Sequence, residues 1–106
     1  LEKTTIVVMT EFGRRIPENS ALGTDHGRAG AWLVLGNGVS GGKVHAEWPG
    51  LKTEQLDGPG DLRVTQDYRN VLLELSQLVF GQTITSAALF PGLTYKPSGV
   101  FPKALA

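Results

Sequence analysis

The sequence contains no cysteine, which excludes disulfide bonds and thiolate ligands for a metal ion. Any metal site must therefore use oxygen and imidazole ligands. Long apolar runs are also missing. Runs such as residues 6–9 and 31–35 are far too short to cross a bilayer.

An excess of charge of one sign is likewise absent, since ten Lys and Arg balance ten Asp and Glu. No net field attracts the chain to nucleic acid, and we predict no nucleic-acid partner. Affinity for an anion must come from a local group of side chains. The length of 106 residues predicts a single domain over residues 1–106. Because the chain starts at Leu1 and reaches a predicted strand within a few residues, we expect it to be part of a longer protein.

Three segments have patterns typical of regular secondary structure. Residues 4–9 and 31–35 are apolar runs followed by polar or glycine-rich segments, as in strands that are buried on both faces. Apolar residues at helical spacing predict an amphipathic helix over about residues 66–80. Thr65 is its predicted N-cap and Gly81 its predicted stop.

The order of strand, long loop, strand, irregular segment and helix predicts an α/β domain with a mostly parallel sheet flanked by helices. In such sheets, ligands bind at the carboxyl ends of the strands. Glu11 follows the first strand directly, and the loop GTDHGRAG, residues 23–30, precedes the second. Both are therefore expected at one edge of the sheet.

His26, Asp25 and Glu11 are the candidate metal ligands at this edge. Zinc and manganese accept carboxylate oxygen and neutral imidazole, and the glycines around Asp25 and His26 allow the loop to turn both side chains inward. A purely structural interpretation is also open. In that case Asp25 caps a turn, His26 binds a carbonyl group and Glu11 pairs with a neighbouring arginine.

Arg14, Arg15 and Arg28 flank the candidate ligands. A guanidinium group can bind an oxygen of phosphate or sulfate through two hydrogen bonds, so Arg14 and Arg28 are the candidate anion-binding residues. The alternative is that they only keep the loop soluble.

The ordered motifs TEFGRR, GTDHGRAGAWLVLGNGVSGGKV, EWPGL and VTQDYRNVLLEL closely resemble the carboxy-terminal part of the DUF1501 family. These are bacterial proteins of unassigned function that are related to sulfatases and the alkaline phosphatase superfamily. The resemblance extends from residue 4 to about residue 92. It implies that the chain is the C-terminal portion of a larger alkaline-phosphatase-like domain, whose missing N-terminal half is its partner. It also implies export to the periplasm or the cell surface, although these residues contain no export signal.

The resemblance further implies a divalent metal ion, namely zinc, manganese or calcium. In the superfamily, a buried strand ends in an Asp-His-Gly metal motif and a further histidine precedes the next core strand. By strand order, Glu11 matches the acid, Phe12 replaces the histidine of the motif, and His26 matches the later histidine. Matching by letters instead aligns Asp25 and His26 with the motif itself. His26 is a ligand in both alignments.

The activity implied for the whole protein is metal-dependent hydrolysis of a small phosphate or sulfate ester. The nucleophile would lie in the part that this chain lacks, so the isolated chain is expected to be inactive. Because Phe12 replaces a ligand, the alternative is a non-catalytic protein that keeps the scaffold for binding or for a structural role. Half of a parallel sheet would expose a strand edge and apolar faces, so the isolated chain is also expected to self-associate, at least as a dimer, or to be marginally stable.

Overall fold

The structure is a computed structural model that describes residues 2–103. Its four short strands are β1 (Thr5–Val8), β2 (Gly13–Arg14), β3 (His26–Gly27) and β4 (Leu33–Gly36). Its helices are α1 (Tyr68–Phe80) and α2 (Ser86–Leu89), and Thr53–Gln55 form one turn of 3-10 helix. Strand β1 pairs with β4, and β2 pairs with β3.

The strands form short antiparallel pairs, so the predicted α/β fold with a mostly parallel, alkaline-phosphatase-like sheet flanked by helices is wrong. In the β2–β3 pair, Gly13 lies opposite Gly27 and Arg14 lies opposite His26. A parallel pair needs a long crossover, usually a helix, whereas residues 15–25 turn the chain back without one. The chain therefore reverses its direction between β2 and β3, whereas the sequence pattern predicted parallel strands.

The predicted double burial of the strands is also wrong. Residues of β1 and β4 alternate between half-buried and exposed, and Leu33 is 64 % exposed. Alternation of this kind is typical of an antiparallel pair that is covered on one face. A continuous apolar run in the sequence does not show whether other parts of the chain cover both faces of the strand.

The chain divides into two compact units. Among the described residues, the first unit consists of residues 2–5, 34–45 and 66–103. The second consists of residues 6–33 and 46–65. Over the range that the structure describes, no helix is long and apolar enough to span a membrane.

Helix α1 is the longest element of the first unit. Asp67 is its N-cap, and the Asp67 side chain accepts a hydrogen bond of 2.9 Å from the backbone N–H of Arg69. The predicted N-cap, Thr65, is wrong, because Asp67 is the residue that directly precedes the first helical residue. Gly81 ends the helix as predicted, with a φ of 107° that favours glycine.

The core of the first unit is small and partly polar. Its buried apolar cluster consists of Val71, Val100 and Phe101, and partly buried apolar residues pack against it: Val34, Val39 and Leu75. The inner face of α1 also carries three buried polar residues, Asn70, Glu74 and Gln77. Their spacing places them along one side of the helix, and we call them the polar stripe.

Two members of the polar stripe bind backbone groups of the segment that follows the helix. The Asn70 side-chain oxygen accepts a hydrogen bond of 3.1 Å from the backbone N–H of Lys96. The Gln77 side-chain amide donates a hydrogen bond of 2.7 Å to the backbone carbonyl of Ile84. Hydrogen bonds therefore hold this segment against α1 beside the small apolar cluster.

Glu74, the central member of the polar stripe, is 1 % exposed and accepts three hydrogen bonds. The Tyr95 hydroxyl donates one at 2.8 Å, the Ser98 backbone N–H donates one at 2.9 Å, and the Ser98 hydroxyl donates the third. Burial raises the pKa of Tyr95 to about 12, and the hydrogen bond to Glu74 adds to the rise. These bonds satisfy the buried carboxylate with neutral donors.

Candidate functional site

The β2–β3 pair brings three of the residues around the GTDHG loop together on one exposed face. Residues i and i+2 of a strand share a face, so Phe12 and Arg14 lie on the same side, and Arg14 is in register with His26. The Phe12 and His26 rings stand 3.8 Å apart between centroids, at an interplanar angle of 36°. The Arg14 guanidinium carbon lies 5.8 Å from the centroid of the Phe12 ring. We call Phe12, Arg14 and His26 the hairpin stack.

Glycines make this arrangement possible. A Cβ atom on Gly13 would overlap the backbone carbonyl oxygen of Ala29, and one on Gly27 would lie 2.8 Å from the carbonyl carbon of Arg14. Gly27 therefore allows β3 to lie close to the backbone of Arg14, and Gly13 allows β2 to lie close to Ala29, in the segment that follows β3. The rings of Phe12 and His26 are in contact beside these two glycines.

Asp25 takes part in holding the loop. One of its carboxylate oxygens accepts a hydrogen bond of 3.0 Å from the Asn19 side-chain amide. The other lies 4.0 Å from a terminal guanidinium nitrogen of Arg15, whose backbone N–H also donates to the Asp25 carbonyl at 2.9 Å. The Asp25 side chain thus contacts the side chains of Asn19 and Arg15.

Asn19 organises the tip of the same loop. Its side-chain oxygen accepts hydrogen bonds from the backbone N–H groups of Ala21, at 3.0 Å, and Gly23, at 3.1 Å. Its own backbone N–H donates to the Gly23 carbonyl at 2.8 Å. Leu22, between these partners, has a φ of 62° and is 83 % exposed. The loop thus has a defined conformation that the sequence pattern did not predict.

Arg15 connects the loop to a buried carboxylate that the sequence analysis missed. The Arg15 Nε atom lies 3.5 Å from an oxygen of Asp61, which is only 7 % exposed. Neither atom has a hydrogen-bond partner among residues 2–103. Asp61 also exchanges two backbone hydrogen bonds of 2.8 Å with Asp57. The only signal in the sequence was a turn of the type Asp-Gly-Pro-Gly-Asp, which indicates tight backbone geometry but no partner.

Glu11 and Arg28 are exposed, and neither makes a hydrogen bond or an ion pair with another described residue. The guanidinium of Arg14 donates one hydrogen bond of 2.8 Å, to the backbone carbonyl of Thr24. Within residues 2–103, no three side chains of Asp, Glu or His stand close enough to hold a metal ion. The structure therefore brings Arg14 to His26, and it does not bring Glu11, Asp25 and His26 together as a set.

His45, the second histidine of the chain, is part of the first unit and has a structural contact. Its Nε2 atom lies 2.7 Å from the backbone carbonyl oxygen of Ser40, and the residue is partly buried. A carbonyl only accepts hydrogen bonds, so Nε2 carries a proton and donates it to Ser40. The exposed ring of His26 instead lies against Phe12 and makes no such bond to a backbone carbonyl within residues 2–103. The two histidines of the chain are thus in different environments.

Comparison with known proteins identifies one family. Residues 1–82 match the family described as a protein of unknown function (DUF1501). No curated protein and no solved structure matches the sequence significantly. The matched residues include the hairpin stack, the loop and helix α1.

Proposed function

The chain belongs to the DUF1501 family, and from this premise we propose that it is the C-terminal portion of a larger, sulfatase-related, exported protein. That protein is proposed to hydrolyse phosphate or sulfate esters with the help of a divalent cation. The observation that supports this best is the hairpin stack. It presents an imidazole and a guanidinium in register on one exposed face, which is a suitable combination for binding a cation and the anionic group of an ester.

His26 is the first proposed ligand, and Glu11 and Asp25 are the other two. The Glu11 carboxylate is exposed, and Asp25 keeps lone pairs beyond its contacts with Asn19 and Arg15. One nitrogen and two carboxylates form a donor set that suits zinc or manganese. The proposal requires these side chains to draw together around the cation when the rest of the protein is present.

Arg14 and Arg28 are proposed to bind the ester anion. Arg14 uses one N–H group for the Thr24 carbonyl, and a guanidinium has five, so donors remain for an oxyanion. Bound at this site, a divalent cation would stabilise negative charge on the attacked group. The nucleophile is proposed to lie outside this chain, as the resemblance to the superfamily implies.

The first test addresses metal binding by the full-length protein, in which the three candidate ligands are proposed to draw together. Zinc is titrated into that protein while the ring nitrogens of His26 and His45 are followed by NMR. We expect the His26 signals to shift and those of His45, whose Nε2 is bonded to Ser40, to stay in place. Glu11→Gln should weaken zinc binding by roughly tenfold or more. Equal shifts of both histidines would show unspecific binding and contradict the assignment.

The second test addresses the reaction, in the full-length protein. Aryl phosphates and aryl sulfates are assayed with zinc, manganese or calcium. We expect His26→Ala and Arg14→Ala to lower kcat/KM by about 100-fold, as loss of a group that stabilises transition-state charge does. His45→Gln serves as the matched control. Absence of turnover with every cation would refute the hydrolase proposal.

A non-catalytic binding protein is the second candidate. It is favoured by the Phe12 ring, which lies against the His26 ring, and by the separation of the three candidate ligands within the described residues. In this case the full-length protein would bind phosphate or sulfate through Arg14 without turnover. Calorimetry of wild-type protein and Arg14→Ala with inorganic phosphate and sulfate separates this candidate from the enzyme.

A further inference from the structure

The tip of the loop presents an apolar side chain from an unfavourable backbone conformation. Asn19 and Gly23 pair across three residues, and Leu22 occupies the position where such loops require a left-handed residue. Glycine or asparagine adopts that conformation most easily, and leucine adopts it rarely. A residue held in this way invites a functional explanation, and its side chain is 83 % exposed.

The first unit contains an open cleft with a volume of about 320 Å³. Its apolar lining comes from α1 and from the C-terminal segment, namely Leu75, Leu78, Val79 and Phe101. Two lysines, Lys3 and Lys103, also line the cleft, together with one acid, Glu2. The cleft therefore combines an apolar floor with an excess of positive charge.

We propose that Leu22 of one copy of the chain inserts into this cleft of a second copy. The cleft is larger than a leucine side chain and leaves room for neighbouring residues of the loop. Residues 15–25, which join β2 to β3, contain two acids, Glu18 and Asp25, and one cation, Arg15, so their net charge is −1, whereas the two lysines and one acid of the cleft give +1. Apolar fit and opposite charge together select a second copy as the occupant.

The proposed contact joins two different surfaces, since Leu22 belongs to the second unit and the cleft to the first. Each copy thus offers one insertion loop and one receiving cleft, which is a heterologous interface. Association of this kind depends on concentration, and it should weaken with salt because charge contributes to it.

Sedimentation velocity over a wide range of protein concentration tests the proposal. The wild-type mass should rise with concentration, whereas Leu22→Gly and Leu78→Glu should each remain monomeric. Leu22→Gly removes the side chain, and glycine adopts a positive φ without steric cost. The melting temperature of this variant should therefore be unchanged or higher. Val44→Ser is the matched control, because Val44 is 89 % exposed, belongs to the first unit and does not line the cleft. It should associate like the wild type.

Mixing the two variants gives the most specific result. Leu22→Gly keeps its cleft and Leu78→Glu keeps its loop, so an equimolar mixture should form a one-to-one complex although neither variant associates alone. If Leu78→Glu does not fold, the double variant K3E/K103E replaces it. A monomeric wild type, association of Leu22→Gly like the wild type, or a mixture that does not pair would each overturn the proposal.

Discussion

Gly13 has no room for any side chain, because a Cβ atom there would overlap the carbonyl oxygen of Ala29. Gly13→Ala must therefore push β2 away from its neighbouring segment. We expect it to lower the free energy of unfolding by about 1–3 kcal/mol, the range found for overpacked sites. Gly23→Ala is the matched control, since its Cβ would lie 3.9 Å from the nearest atom of Asn19. Urea denaturation compares them, and equal losses would contradict this account.

Ionisation of the Tyr95 phenol should destabilise the fold at alkaline pH. Its folded pKa of about 12 lies above the usual tyrosine value of about 10. A raised folded pKa means that the contribution of Tyr95 is complete below about pH 10 and is lost as the pH rises towards 12. Tyrosinate absorbance in a Tyr68→Phe background measures this pKa directly.

Tyr95→Phe provides the control for the same effect. It should remove the alkaline loss of stability, at the cost of one hydrogen bond to Glu74 at neutral pH. Titration of the Tyr95 phenol near pH 10 in the folded protein would show that burial does not raise its pKa.

At the scale of single residues, the sequence indicated that two segments lie near each other, but it did not indicate which side chains are in contact. The loop with His26 does face the segment that contains Phe12 and Arg14. The direction of the Asp25 side chain was not predictable, because Asn19 and Arg15 lie in the same irregular loop and form no recognisable spacing with it. Side-chain partners of this kind depend on the path of the loop.

The N-terminus of helix α1 depends on Asp67, whose carboxylate accepts hydrogen bonds from the Arg69 side chain and backbone. Asp67→Ala should lower the free energy of unfolding by about 1 kcal/mol, as loss of an N-cap does. Thr65→Ala is the control, because Thr65 is not the cap. Thermal or urea unfolding measures both, and a larger loss for Thr65→Ala would contradict the observed helix start.

The same residue makes the stability of α1 dependent on pH. The hydrogen bond from Arg69 holds the pKa of Asp67 below its usual range. A lowered folded pKa means that the contribution is present above the unfolded pKa and is lost as the pH falls through the folded value. The stability difference between wild type and Asp67→Ala should therefore shrink in acid. A difference that stays constant throughout the acid range would refute this.

Among the elements, the helix was predictable and the strand pairing was not. Residues 66–80 were predicted to be helical and Tyr68–Phe80 are, because apolar spacing and the Gly81 stop are local signals. Strand pairing instead depends on which glycines allow close approach, as Gly13 and Gly27 do. That information lies in contacts between distant segments, so the apolar runs suggested a parallel sheet that does not form.

Across the whole molecule, stability should be lowest between β4 and the 3-10 turn. Residues 37–52 contain no helix or strand, and Lys43 in this segment is exposed. Limited digestion with trypsin should cut first after Lys43 and only later after Arg69, which lies in the capped first turn of α1. Mass spectrometry identifies the order. Lys43→Gln should abolish the early cut, and an initial cut after Arg69 would contradict the prediction.

The polar stripe has a consequence for how sequence can vary outside the family match. The stripe lies within residues 1–82, whereas the residues described above as hydrogen-bonding to its side chains lie beyond residue 82. Asn70 and Gln77 contact the main chain of Lys96 and Ile84, and every residue type has a carbonyl group while all but proline have an N–H. These two bonds therefore do not depend on which side chain stands at positions 84 and 96. Through these two bonds, helix α1 can hold a segment with other side chains at positions 84 and 96, provided that the backbone follows the same path. Glu74, in contrast, requires the hydroxyl groups of Tyr95 and Ser98 for two of its bonds.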